Sequence, residues 1–86
     1  MLESLQDPAE AAAYLDAALE DEDIQVFLLA LRDVAEARGM SRVAAETDLN
    51  RESLYRMLSE EGNPRLSSLE ALLHTFGLRL AIEVRE

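Results

Sequence analysis

The residues best suited to chemistry stand close together near the middle of the chain: Arg51, Glu52, Tyr55 and Arg56. Arginine can pair with a guanine edge or a phosphate through two hydrogen bonds, and glutamate can accept a hydrogen bond from cytosine. Tyrosine can contact a thymine methyl group or a phosphate. At helical spacing these side chains share one outer face. The pattern therefore indicates a helix that reads DNA bases, with Ser53 close to the DNA backbone.

Two short helices joined by a tight turn, over about residues 40–58, would present that face. Ser41 is expected to cap the first helix and Asn50 the second, because their side-chain oxygens can accept from free backbone N–H groups. Asp48 stands in the turn, where it tolerates a left-handed conformation better than most residues. This is helix-turn-helix logic, in which Ser41 and Arg42 would contact phosphate. The side chains expected to face inward are Val43, Ala44, Thr47, Leu54, Met57 and Leu58.

The residues needed for catalysis are missing from the sequence. It has one histidine, His74, and no cysteine, and its serines stand at caps or near helix starts. It contains no glycine-rich phosphate loop and no metal-binding motif. We therefore expect a protein that is not an enzyme and needs no cofactor, with His74 on the surface.

Charge is distributed unevenly along the 86 residues, whose formal net charge is −10. Ten acidic residues precede position 37, against Arg32 alone, whereas arginines nearly balance the acids after it. This asymmetry fits a protein with two unlike partners. Acidic residues that only solvate helix faces would give the same pattern, and codon bias would equally explain why every basic residue is arginine.

Length and hydropathy favour one small cytoplasmic domain over residues 1–86. The sequence has no stretch resembling a signal peptide, and no apolar run approaches the roughly 20 residues of a membrane span. Residues 1–6 are expected to be a loose lead-in from which Leu2 and Leu5 pack on the body.

Helix start and stop signals divide the chain further. Asp7 followed by Pro8 opens a helix that runs to about Glu20, and the acidic turn at 20–23 ends with Asp23 as the cap of a second helix, 24–38. Residues 59–65 read as a loop, and a capping box at Ser67 opens a last helix to about Phe76. The apolar stripes predicted for the first two helices are Ala11, Tyr14, Leu15, Ala18 and Leu19, then Ile24, Phe27, Leu28, Leu31, Val34 and Ala35.

The period changes to two at the end of the chain, over about residues 78–85. Alternation of apolar and polar side chains is typical of a half-buried strand, and the apolar positions are Leu78, Leu80, Ile82 and Val84. A lone strand leaves its backbone groups unpaired, so it needs a partner. The same strand of a second copy is the simplest partner, and a strand of another protein is the alternative. A tail that merely packs on the helices is the third possibility.

Residues 40–58 resemble the helix-turn-helix of the Cro/phage-repressor (Xre-like) superfamily, with Ala44 at its small position. Asp48 departs from the usual glycine. Nearly the whole chain, with DPAEAAAYLDAALED, FLLALRDVAEARGMS, LNRESLYRMLSEEGNPRLSSLEALL and FGLRLAIEV, is similar to the HigA-type addiction-module antidote proteins. This resemblance implies binding of a basic RelE/HigB-type mRNA-cleaving toxin. It also places the loop near the DNA backbone, which makes Asn63 and Arg65 candidate phosphate contacts.

These observations together predict a mainly α, compact five-helix helix-turn-helix domain with one C-terminal β-strand paired across a dimer. A dimer would bind a palindromic operator through its major groove. The predicted function is an antitoxin that neutralises its toxin and represses its own operon. The alternatives are a prophage repressor-like regulator without a toxin partner, and a helix-turn-helix scaffold that no longer binds DNA.

Overall fold

The computed structural model describes residues 2–59 and 61–85, which form five α-helices behind a short 3-10 helix. This confirms the mainly α, five-helix architecture predicted from the sequence. The 3-10 helix is Leu2–Gln6, and the α-helices are α1 (Pro8–Leu19), α2 (Ile24–Arg38), α3 (Met40–Thr47), α4 (Arg51–Met57) and α5 (Leu66–Thr75).

The N-terminal residues differ from the loose lead-in that we expected. Residues 2–6 are ordered as the 3-10 helix, which packs against α1 and α2 and buries Leu5. The Gln6 side-chain amide donates to the carbonyl of Ala37 at 2.8 Å, which fastens this segment to the end of α2. Met1, the side chain of Leu2, and Glu60 in the predicted loop lie outside the described residues.

Helix α2 is central, because it packs against the 3-10 helix, α1 and α3, while α3 also packs against α4 and α5. Burying each large aliphatic side chain of this core contributes about 1.5–3 kcal/mol. The largest fully buried side chains are Leu31, Val34, Val43, Leu54, Leu58, Leu72 and Phe76. The predicted stripes were wrong at Leu19 and Ile24, which are 51% and 61% exposed. Both stand at helix ends beside the turn at 20–23, where the apolar period continues but no described helix covers it.

Backbone hydrogen bonds show where the helices start. Asp23 caps α2, since its Oδ1 accepts from the N–H of Gln25 at 3.0 Å. Ser41 is not the cap of α3, because the Val43 N–H already donates to the carbonyl of Gly39. Ser67 is likewise not the cap of α5, because the Leu69 N–H donates to the carbonyl of Arg65. Ser41 and Ser67 therefore both lie within helices.

Two further polar side chains, Tyr14 and Arg38, connect the elements. The Tyr14 hydroxyl donates to Asp33 Oδ2 at 2.5 Å, joining α1 to α2. This hydrogen bond, together with burial and the negative charge of Asp33, raises the pKa of Tyr14 above its ordinary value. Arg38 Nη2 donates to the carbonyls of Gln6 and Phe76, both at 3.2 Å, and its guanidinium lies 5.8 Å from the centre of the Phe76 ring. Arg38 thus holds the 3-10 helix and the end of α5 against α2.

The chain leaves α5 through a Schellman-type cap and continues as the C-terminal segment, residues 78–85. The N–H groups of Gly77 and Leu78 donate to the carbonyls of His74 and Leu73, at 3.0 and 2.7 Å, and Gly77 has φ +81. An added Cβ at Gly77 would lie 3.3 Å from Cγ of Pro8, so this turn also contacts the start of α1.

The strand predicted over 78–85 is absent from the described chain. Within residues 79–85 no backbone group makes a hydrogen bond to another described backbone group. A strand forms only when a neighbouring strand pairs with it, and the described residues contain no strand. Leu78 is half-buried, whereas Ile82 and Val84 are 97% and 91% exposed. The alternation therefore reflects packing on this chain's own core at Leu78, but not at Ile82 or Val84.

Candidate nucleic-acid interface

Local hydrogen bonds set the start and the direction of α4. Asp48 adopts the left-handed conformation with φ +60 and ends α3, as the sequence indicated. Asn50 then caps α4, with its Oδ1 accepting from the N–H of Ser53 at 2.7 Å. Leu54 and Leu58 are fully buried, which turns the opposite face of α4 toward solvent.

The outward face of α4 carries most of the base-reading side chains predicted from the sequence. Arg51, Glu52 and Arg56 are exposed, and no ion pair involves them within the described chain. Their donors and acceptors are therefore free to meet another molecule. An arginine or glutamate in this position can reach a base edge or a phosphate.

Tyr55 differs from the outer-face position that we expected. Its ring is half-buried and packs against the core. The guanidinium of Arg32 lies 5.1 Å from the ring centre, and that of Arg51 lies 5.9 Å from it. Tyr55 is thus an anchor for two arginines from two helices. Sequence reasoning did not single out Arg32, although it is the one basic residue in the first 36 positions.

A cleft of about 410 Å³ lies between α4 and the loop that follows it. The structure brings four of the predicted site residues to this cleft: Ser53, Arg56, Asn63 and Arg65. Guanidinium, amide and hydroxyl groups are common donors to phosphate oxygens. The exposed Glu61 also lines the cleft, so the site is not uniformly positive.

The loop is held close to α4 at Gly62. A Cβ added there would lie 2.0 Å from the carbonyl oxygen of Met57, which is backbone and cannot move aside easily. The Gly62 N–H also donates to the carbonyl of Ser59 at 2.9 Å. A residue without a side chain is therefore what lets the loop carry Asn63 and Arg65 to the cleft that Arg56 also lines.

Ser41 and Arg42 are both exposed on α3 but do not line the cleft. Arg42 Nε lies 3.7 Å from Glu46 Oε2, an exposed pair one helical turn apart. Such pairs contribute about 0.3–0.5 kcal/mol, so a phosphate could replace the glutamate at little cost. The predicted site thus separates into the α4 face, the cleft, and this part of α3.

The described residues hold no group of histidine, cysteine, aspartate or glutamate side chains placed to ligate a metal ion. None of the described helices is both long enough and apolar enough to span a membrane. The arrangement offers hydrogen-bond donors and acceptors on a helical support.

Comparison with known proteins places the chain in a family at a coarser level than the resemblance predicted from the sequence. A family model described as "Probable addiction module antidote protein" matches residues 1–84, and the chain belongs to this family. An uncharacterized protein of Haemophilus influenzae (strain ATCC 51907 / DSM 11121 / KW20 / Rd) is 33% identical over 81 residues, which cover 94% of this chain and 84% of that protein. No solved structure matches the chain. Membership of an antidote family implies an antitoxin role and a toxin partner.

Proposed function

We propose that this chain is the antitoxin of a type II toxin-antitoxin module. It neutralises a RelE/HigB-type mRNA-cleaving toxin in the cytoplasm and represses its own operon by binding operator DNA. Family membership supports the antitoxin role in general. The finer parts of the proposal are supported by the charge distribution and by the surface around α4. The protein acts by binding and has no catalytic role.

The observation that carries DNA binding is the convergence of Arg56, Asn63 and Arg65 on one cleft beside the exposed face of α4. These three residues come from two segments, so their proximity is a product of the fold. With α4 in the major groove, the cleft would lie against the flanking phosphates. Phosphate contacts of this kind fix the register of a protein on the duplex.

In this proposal, the first turns of α4 recognise the DNA sequence. Arg51 would pair with a guanine edge and Glu52 would accept from cytosine. Tyr55 holds the Arg51 guanidinium from below, and its own contact with DNA is limited by its half-burial. Ser41 and Arg42, at the start of α3, would contact phosphate. Asn50 and Ser53 would lie beside the DNA backbone.

One copy offers few contacts, so a homodimer on a palindrome completes the proposal, with half-sites roughly 34 Å apart. The C-terminal segment can join two copies, because its unpaired backbone groups would form a β-ladder with the same segment of a partner. The strand predicted by Leu78, Leu80, Ile82 and Val84 would then form only on association.

The first experiment is a titration of the protein's own promoter DNA, with Arg51→Ala and Arg56→Ala beside the parent. Arg85→Ala is the matched control, because it also removes one exposed arginine but lies outside the cleft. Sedimentation must show that this variant, which lies in the C-terminal segment, self-associates as the parent does. The parent should bind saturably, and each site variant should lose about 1–3 kcal/mol of binding free energy. Loss of Arg56, as a phosphate contact, should also reduce the slope of log K against log salt by about one.

If Arg51→Ala and Arg56→Ala still bind the promoter specifically, α4 is not the helix that reads the DNA sequence. If the folded parent protein shows no specific binding, the free antitoxin does not repress its operon. DNA binding with no effect on any toxin would favour the alternative function, a prophage repressor-like regulator.

A further inference from the structure

A groove of about 730 Å³ runs between α1, the turn after it, and the C-terminal segment. Its apolar lining includes Leu19 and Leu80, which remain 51% and 43% exposed. About half of each side chain therefore remains open to solvent. Large apolar side chains that line a concave surface and remain open to solvent are typical of a site that another molecule fills.

The charged side chains around this groove are mostly acidic. Asp16, Glu20 and Glu83 line it, against Arg79 alone. None of the four forms an ion pair within the part of the chain that the structure describes. The turn at 20–23 adds further acids beside the groove. Unpaired carboxylates around an apolar lining are complementary to a partner that carries lysine or arginine beside apolar side chains.

The same charges argue against a second copy of this chain as the occupant. The first 31 residues contain eight acidic side chains and neither lysine nor arginine. Two copies meeting through α1 would bring these carboxylates together, and like charges across an interface cost several kcal/mol. Pairing of two C-terminal segments uses backbone edges instead, so it can coexist with an occupied groove.

We propose that this groove is the docking surface for the toxin, and that it receives a basic, amphipathic segment of that protein. Apolar side chains of the segment pack on Leu19 and Leu80, and its cations pair with Asp16, Glu20 and Glu83. This inference rests on the proposed antitoxin function and adds the surface through which it acts. The groove shares no lining residue with the cleft beside α4, so toxin and DNA would use separate surfaces.

The test measures binding of the small protein encoded in the same operon, by calorimetry at two salt concentrations. The groove variant is Asp16→Arg with Glu20→Arg. These positions lie in the last turn of α1 and at its C-cap, where cations suit the helix dipole, so the variant should fold. The control is Glu10→Arg with Glu70→Arg, which makes the same charge change at exposed positions outside the groove.

The groove variant should bind about tenfold more weakly or worse, while the control changes by less than about threefold. Leu80→Ser should also weaken binding, whereas Leu66→Ser, at an exposed leucine of α5 outside the groove, should not. Equal losses in the groove and control variants would mean that only overall charge matters, and would overturn the groove assignment. Unchanged binding by the groove variant would overturn it as well.

Sedimentation of the parent and the groove variant tests whether the groove instead joins two copies of this chain. If the charge reversals disrupt self-association, the groove is an interface between copies and the toxin assignment is wrong. If the folded parent does not bind the operon's small protein at all, the proposed antitoxin function fails together with the groove. If the groove variant still binds the toxin, the groove assignment is wrong but the proposed antitoxin function stands.

Discussion

The guanidinium of Arg32 on α2 lies over the ring of Tyr55 on α4, 5.1 Å from its centre. This contact joins the central helix to the helix that carries the proposed DNA-contacting residues. On the same ring lies Arg51, at 5.9 Å. The position of a proposed base-reading arginine therefore depends on an aromatic side chain that is anchored from beneath by the core.

A double-mutant cycle of Arg32→Met and Tyr55→Leu should show this coupling. We expect a coupling energy of about 0.5–1 kcal/mol in the free energy of unfolding, the size of a partly exposed cation–π contact. Arg42→Met is the matched control, because Arg42 also pairs with a glutamate four residues later but does not contact Tyr55. Urea denaturation measures the coupling of Tyr55→Leu with Arg32→Met and, separately, with Arg42→Met. Equal coupling energies in these two cycles would contradict the contact between Arg32 and Tyr55.

Asn50 and Ser67 were both predicted from the sequence to cap a helix, but replacing them should change the free energy of unfolding by different amounts. Asn50→Ala should lower the free energy of unfolding by about 1 kcal/mol, because it removes the acceptor for the Ser53 N–H. Ser67→Ala should change it by less than about 0.5 kcal/mol, because Ser67 lies inside α5 and caps nothing. Thermal unfolding followed by circular dichroism compares them. A larger cost at Ser67 would show that α5 starts after Leu66.

Gly62→Ala should destabilise the protein by about 1–3 kcal/mol, the usual scale of overpacking. The added methyl group would meet the Met57 carbonyl oxygen at 2.0 Å, so the loop must move away from α4. Because that movement separates Arg65 from Arg56, operator binding should fall in the same variant. Asn63→Ala, which adds no atom, should keep its stability. A fully stable Gly62→Ala protein would contradict the close approach of loop and helix.

Stability at high pH should depend on the hydrogen bond between Tyr14 and Asp33. The folded-state pKa of Tyr14 is raised by that bond, so its contribution is fully present below the unfolded pKa of about 10 and is lost as pH rises through the folded pKa. Tyr14→Phe should therefore cost about 1 kcal/mol at pH 7.5 and less at pH 10.5. Adding Asp33→Ala to Tyr14→Phe should cost little more. Urea unfolding at both pH values checks this, and a pH-independent difference would be evidence against it.

Helical periodicity and backbone preferences predicted most of the fold. Asp48, Asn50 and Asp23 have the conformations or caps that their residue types indicated. The errors arose where tertiary context decides. Ser41 and Ser67 are good capping residues, but each helix starts earlier on a backbone carbonyl. Leu19 and Ile24 continue an apolar stripe past the point where another helix covers it.

The candidate site was less predictable than the fold. Helical spacing placed Arg51, Glu52 and Arg56 on one exposed face, but it could not place Arg32 beside Tyr55, since 23 positions separate them along the chain. The cleft needs Gly62 against α4, and the groove needs the C-terminal segment beside α1. Contacts between distant segments have no periodic signature in a single sequence.

The most direct test of the account is growth of cells that express the small protein of the same operon together with variants of this chain. The parent should restore growth. The variant carrying Arg51→Ala and Arg56→Ala should restore it equally, because the proposed toxin and DNA surfaces share no residue. The variant carrying Asp16→Arg and Glu20→Arg should not restore it. Failure of the parent to restore growth against a toxic partner would contradict the antitoxin assignment. Failure of the arginine variant, at normal expression and folding, would contradict the separation of the two surfaces.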